Sequence, residues 1–470
     1  MSAADLLFQS IPSLSRQLHE KKLSPVELAE ASLSRLETLG PNYNAVVTLM
    51  RDAALDEARA AERELKAGRS RGVLHGIPYG VKDLLATKRA PTTWGAEPYR
   101  GQQFDFDATV VERLHEAGAV LVAKLSMVEL AGGMGYNQAD AAFNGPGLSP
   151  WNTKFWSGGS SSGPGASVSA GLVSFAIGSE TSGSILTPSS YCGVTGLRPT
   201  YGRVSRHGAM ALSWTLDKLG PMARSAEDAA IVLAAIAGQD PLDASTVPHP
   251  FAWRTPAPAP TRKWRIAVPR GCIEKVQPAV RDNFEAAMKT LAPHFEVTRD
   301  VDFPDLPWGP AVGTIVGAEG ASAFRDLLES GDVAKLKCPS DHVGGYSSLL
   351  VPAVDYLHAM RLRGSMRTAM REFYRKYDAI ATPGRATVAL PAEGKFEDAY
   401  PGVSGGPPVI PAGNLTGLPA IALPSGFGEN GLPTSIAFMG PAFSEAMLAQ
   451  IGIAWQSASD WHTRRPPGTT

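Results

Sequence analysis

Two serine-bearing glycine loops bracket a run of small and apolar residues, and this arrangement limits the fold more than any other feature of the chain. The first loop is Ser157-Gly-Gly-Ser-Ser-Ser-Gly-Pro-Gly165 and the second is Gly178-Ser-Glu-Thr-Ser-Gly-Ser184. Between them, Ala166 to Leu172 has the composition of a helix packed tightly on a sheet, and Val173 to Ile177 that of a buried strand running into Gly178. Each serine loop therefore stands at a junction between elements.

By composition alone a Ser/Gly run is a flexible linker. Its direct passage into the apolar segment points instead to a structured loop ending at a helix N-terminus, where free N–H groups and the positive dipole end favour developing negative charge. The glycines of the second loop allow successive N–H groups to converge into a nest that could hold an anion. Neither loop carries the Lys-Ser or Lys-Thr of a phosphate loop, which argues against nucleotide binding. Gly159 to Gly163 formally fits G-x-S-x-G, with Ser161 as nucleophile. That pattern requires a strand immediately before the turn, whereas Ser149 to Trp156 is rich in loop formers. None of the nine histidines sits in a motif that marks a base.

Alternating strand and helix patterns indicate the α/β class. Ser24-Pro-Val-Glu27 is a capping box opening a helix that runs to Gly40, Arg51 to Lys66 is a second helix, and Ser225 caps another that closes at Gly238. Ala119 to Ala123, Arg265 to Val268, Asp378 to Thr382, Ala420 to Leu423 and Ser435 to Met439 read as strands. The expectation is a large mixed, mostly parallel sheet covered by helices. Pro248 to Pro260 holds five prolines and reads as an extended excursion or a linker between two units, although strand patterns resume directly after it.

Composition excludes several classes of function. A net charge of −1 offers no field to collect nucleic acid or an anionic membrane, and no apolar run is long enough to span a bilayer. Three cysteines without CxxC spacing suggest neither a disulfide framework nor a zinc site, so no metal or cofactor is expected. Met1 to Ser15 lacks the pattern of a signal peptide, and a cytoplasmic location is expected.

The two loops, the upstream lysine in Gly80-Val-Lys-Asp-Leu-Leu, the stretch Cys192-Gly-Val-Thr-Gly-Leu-Arg-Pro-Thr-Tyr-Gly-Arg-Val-Ser and the stretch Leu415-Thr-Gly-Leu-Pro-Ala-Ile together resemble the amidase signature family. The resemblance implies a single α/β/α domain over 1–470. Within it, N-terminal helices occupy 1–68 and a catalytic core 72–240. A Pro-rich excursion follows at 245–263, and 264–470 supplies the remainder of the sheet and the pocket region. It further implies Ser184 as nucleophile, Ser160 on a cis peptide bond as the bridging serine and Lys82 as base. The backbone N–H groups of Thr181, Ser182, Gly183 and Ser184 would form the oxyanion hole. Asp83 and Glu180 would stand behind these groups. The segment Gly132, Gly133, Met134, Gly135, Tyr136 falls where relatives shape the acyl pocket, and by itself reads equally as a glycine turn.

Alone, Lys82 reads as a surface lysine, yet Ile77 to Val81 and Leu84-Leu85 give it largely apolar surroundings, and burial lowers a lysine pKa. Many relatives carry Asp-Thr-Gly-Gly-Ser-Ile-Arg where this chain has Glu180-Thr-Ser-Gly-Ser-Ile-Leu186. The loss of a cation at Leu186 directs the expectation to a neutral substrate, an aryl or alkyl amide or a carbamate, acted on by a monomer or homodimer. The alternatives are the glutaminase subunit of the tRNA-dependent amidotransferase and a non-catalytic anion-binding protein.

Overall fold

Buried strands with both faces covered read as nearly continuous apolar runs, and such strands make up the interior of one sheet of eleven strands whose two edge strands are only partly buried. The structure is a computed structural model that describes residues 3–139, 143–257 and 262–469. In chain order the strands are β1 (Val46–Leu49), β2 (Pro78–Lys82), β3 (Val120–Leu125), β4 (Leu148–Ser149), β5 (Asn152–Trp156), β6 (Phe175–Glu180) and β7 (Thr195–Arg198). They continue as β8 (Lys218–Ala223), β9 (Trp264–Pro269), β10 (Phe295–Val301), β11 (Ala379–Pro383), β12 (Ala420–Phe427) and β13 (Pro433–Met439). The large sheet has the order β1-β3-β2-β6-β8-β7-β12-β13-β11-β9-β10, and β4 pairs only with β5.

This is the large mixed sheet expected, with its parallel pairing confined to two blocks, β3-β2-β6 and β11-β9-β10. The six other neighbouring pairs are antiparallel, so the expectation of a mostly parallel sheet applies within the two blocks and not across the middle. For β12 and β13 the reason is local. A parallel neighbour requires a long crossover, whereas only five residues separate β12 from β13. Strands from both sides of the Pro-rich segment share the sheet, as β7 pairs with β12. Residues 258–261 of that segment lie outside the described residues. Its preceding part is tied down, with Arg203 Nη1 donating to the carbonyls of His249 (2.8 Å) and Pro250 (3.1 Å).

The sheet separates the apolar interior into layers. On β3, Val120 and Val122 face a cluster with Ala29 and Leu33 of the helix Pro25–Thr38, whereas Leu121 joins the cluster that includes Ile231 and Val232 of the helix Ala226–Ile236. This alternation is the two-residue period of a strand. The capping box forms as read, with Ser24 N–H donating to Glu27 (2.9 Å) and Val26 N–H to Ser24 Oγ (3.0 Å). Two readings differ from the structure. Ser149 to Trp156, read as loop, falls in the short hairpin β4–β5, in which Leu148 lies opposite Trp156 and Ser149 opposite Asn152 across a Pro-Trp turn. The small-residue helix starts at Ser162 rather than Ala166, because Pro164 is tolerated in a first turn where its missing N–H has no partner to lose.

The helix Ser162–Ser169 lies against the sheet only because Gly163 has no side chain. A Cβ there would overlap backbone atoms of Ser126 and Ala45. Gly163→Ala is expected to lower stability by about 1–3 kcal/mol. Gly313→Ala, at an exposed helical position with open space around it, should raise stability by about 0.5–1 kcal/mol. Thermal unfolding midpoints of the two variants check this, and a Gly163→Ala midpoint equal to that of the native chain would contradict it.

Candidate active site

Parallel neighbours present their C-terminal ends at the same edge of a sheet, and this brings the two halves of the site together. Val81 of β2 lies opposite Ile177 of β6, so Lys82 ends its strand beside the loop that leaves β6. Lys82 has no exposed surface. Its Nζ donates to Ser160 Oγ (2.7 Å) and to Ser179 Oγ (2.9 Å). Burial lowers its pKa to about 7, against the opposing pull of the Asp217 and Glu180 carboxylates.

Ser160 follows a cis peptide bond from Gly159, and its carbonyl accepts from Val128 N–H (3.1 Å). Its neighbour Ser161 laces the two serine loops. Ser161 N–H donates to the Ser184 carbonyl (3.3 Å), and Ser161 Oγ donates to the Ser179 carbonyl (3.2 Å). A fully buried hydroxyl engaged with backbone is poorly placed to attack a substrate, which weighs against Ser161 as nucleophile even though β5 precedes its turn.

The loop Thr181–Ser184 is held from outside. Thr181 Oγ1 donates to Asp217 (2.6 Å), a carboxylate that also accepts from Leu212 and Ser213 N–H (2.9 Å each). Gly183 has a φ of +99°, a conformation that disfavours a side chain. Among the described residues, the N–H groups of Thr181, Ser182, Gly183 and Ser184 donate to no protein acceptor. The Ser182 side chain is exposed, so it does not crowd this turn.

Glu180 anchors the following turn. One carboxylate oxygen accepts from Ile185 and Leu186 N–H (3.0 and 3.1 Å), and the other from Arg198 Nη1 (2.8 Å) and Asn414 Nδ2 (3.0 Å). Burial would raise the carboxyl pKa, but Arg198 and the other donors hold it at about 2. Leu186 points into an apolar cluster with Leu216, Trp308 and Ile315, and Arg198 supplies the cation behind the loop. Asp83 turns away from Lys82 to pair with Lys124 (3.0 Å) and to accept from the Thr93 N–H (3.1 Å) and hydroxyl. It braces the chain leaving β2.

The segment Gly132 to Tyr136 divides. Met134 is buried against Gly345 and Leu328, and a Cβ on Gly133 would meet Phe324 and Leu212. Tyr136 is 39% exposed, and its hydroxyl stands 2.8 Å from where a Cβ on Gly159 would be. Tyr136 therefore reaches the Ser160 loop, whereas Met134 does not. Gly132, at φ +88°, makes the turn that allows this.

Two cavities flank the Thr181–Ser184 loop. One of about 180 Å³ is lined by Leu84, Ser179, Thr181, Met210, Leu212 and Asp217. The other, of about 340 Å³, is lined by residues that include Gly384, Arg385, Ser404, Val409 and Ile410. Ile410 packs against Gly183, where a Cβ would lie 3.6 Å from its Cγ2. Sequence reasoning missed Ser179, Asp217, Arg198 and Arg385. Ser179 was legible as part of the glycine nest. The other three come from distant segments and carry no local signal of their own.

The family model described as Amidase matches residues 27–449. A subunit of the glutamyl-tRNA(Gln) amidotransferase of Chloroflexus aggregans is 34% identical, with 98% of this chain and 99% of that protein covered. The solved native peptide amidase from Stenotrophomonas maltophilia superposes with a TM-score of 0.83 at 29% identity, covering 98% of each chain. A chain of the vestigial protein complex that reveals the evolutionary origins of an s-triazine catabolic enzyme superposes with a TM-score of 0.88 at 27% identity, covering 96% of this chain and 99% of that one.

The Glu180–Arg198 pair generates a stability prediction. Removing one charge leaves the other buried and uncompensated, so Glu180→Gln should cost about 3–5 kcal/mol. Since the Glu180 carboxyl is held at about 2 in the fold, well below its ordinary value, the contribution is full above that ordinary value and is lost as pH falls toward 2. Denaturant unfolding of Glu180→Gln and the native chain at neutral pH measures the difference. Equal midpoints would show that the pair does not hold the loop.

Proposed function

The chain belongs to the amidase signature family, whose members act on carbon–nitrogen bonds, and on that premise we propose that it hydrolyses an amide through an acyl-enzyme on Ser184. The observation that carries this reading is the buried Lys82, held near a pKa of about 7 and 2.7 Å from Ser160 Oγ. A serine hydroxyl needs a base before it attacks an amide carbonyl. A neutral Lys82 can accept the Ser160 proton while Ser160 accepts that of Ser184. The negative oxygen of the tetrahedral intermediate would meet the unpaired N–H groups of Thr181 to Ser184, each worth about 3 kcal/mol to the transition state. Collapse breaks the carbon–nitrogen bond, and the relay returns its proton to the leaving nitrogen. Water then attacks the acyl-enzyme by the same path.

The substrate has two readings. A neutral aryl amide or carbamate is the expectation drawn from the loss of a cation at Leu186, and the smaller cavity suits it in part, with Leu84, Met210 and Leu212 in its lining beside Arg206 and Asp217. That premise is weakened by Arg385 in the larger cavity. Glutamine hydrolysis as part of a tRNA-dependent amidotransferase is favoured by similarity to the amidotransferase relatives over nearly the whole chain. Ammonia release from glutamine separates the two, because the second reading requires it.

Two predictions follow the relay. Ser184→Ala should abolish turnover and labelling by a serine-directed fluorophosphonate, and labelling that survives in Ser184→Ala but vanishes in Ser161→Ala would transfer the role. Lys82→Ala should lose about 10²–10⁴-fold in kcat/KM, and Lys82→Arg, permanently protonated, should not restore it. Because only the neutral amine accepts a proton, kcat/KM should fall as pH drops below about 7. A flat profile from pH 5 to 8 would remove Lys82 as the base.

A further inference from the structure

The cavity of about 340 Å³ that Ile410 connects to the Gly183 turn contains a cation with no counter-charge among the described residues that line it. Arg385 lines it, directly after the C-terminal end of β11, and no acidic side chain among the described residues joins the lining. The Arg385 Nε is buried without a hydrogen-bond partner. Its guanidinium instead stands 5.9 Å from the centre of the Tyr191 ring, in the helix Leu186–Cys192 that begins just after Ser184. An aromatic face holds a guanidinium in place and leaves its planar edge free for other partners.

The surroundings connect this cation to the reacting centre. Ile410 lines the same cavity and packs on Gly183. The chain beyond Arg385 runs beside the strand leading to the serine loop, with Trp156 N–H donating to the Leu390 carbonyl (2.8 Å). Val409 and Ile410 form the first turn of the helix Val409–Thr416, so a positive dipole end faces the same space. A half-buried charge without a partner carries a desolvation penalty that a bound anion would offset.

We propose that Arg385 is a specificity-determining residue that binds a carboxylate on the substrate, so that the preferred amides carry an anionic group as well as the scissile bond. The proposal rests on the acyl-enzyme reading for Ser184 and names the substrate class of that same site. A planar carboxylate matches the guanidinium in a two-point contact, and the cavity accepts it from the side of the Gly183 turn. The mono-amides of short dicarboxylic acids have this chemistry, and their methyl esters have the same shape without the charge.

The test measures protection of Ser184 against a fluorophosphonate by malonamate, succinamate and glutaramate, each compared with its methyl ester, and kcat/KM wherever turnover occurs. At least one acid should protect about 30-fold better than its ester. Arg385→Gln should erase that advantage of acid over ester, and Arg385→Lys should restore part of it. No acid preferred over its ester, or equal losses for acid and ester in Arg385→Gln, overturns the proposal. Failure of the native chain to be labelled on Ser184 overturns the acyl-enzyme reading instead, so the two failures are distinct.

Discussion

A lysine amine with no exposed surface, held by two serine hydroxyls and, among the described residues, by no carboxylate contact, is the constraint on which the site depends. Water would favour the ammonium by several orders of magnitude at neutral pH, and removing that water brings the pKa of Lys82 to about 7. This demands a dry sheet edge. The parallel block β3-β2-β6 provides it, because both of its faces are covered and its C-terminal ends carry the two loops that close over the amine. Ser160 and Ser179 then satisfy the amine in either protonation state, since a hydroxyl both donates and accepts.

Around that neutral core the fold places fully buried charges in pairs. Glu180 with Arg198 and Asp83 with Lys124 are two such pairs, and both fix backbone instead of approaching the amine. Glu180 accepts from the two N–H groups after Ser184, which turns the helix Leu186–Cys192 away from the loop. Asp217 grips the loop through Thr181. The turn is therefore rigid at its base, while its own N–H groups stay unpaired, the condition for preorganised stabilisation of negative charge.

The substrate side follows different physics. Tyr136, Ile410 and Arg385 arrive from three segments separated by long stretches of chain, and their meeting depends on how the loops beyond β3, β11 and Pro408 pack together. Leu186 shows how position in sequence misleads here. It sits two residues after Ser184, yet its side chain belongs to the apolar interior, so the lost cation at that position says little about what the cavity can bind.

The sequence by itself determined the two serine loops, the lysine between apolar neighbours and many of the elements that carry them. Capping chemistry at Ser24 and Ser225, apolar periodicity and the two glycine loops are local properties, and local backbone preference is enough to specify them. It did not determine the antiparallel middle of the sheet, the hairpin before Ser157, the inward turn of Met134, or the arrival of Arg198, Asp217 and Arg385. Those depend on which segments pair across long separations and on which side chains can be desolvated together. Only the assembled sheet decides that, because burial and counter-charge are properties of a place in space and not of a place in the chain.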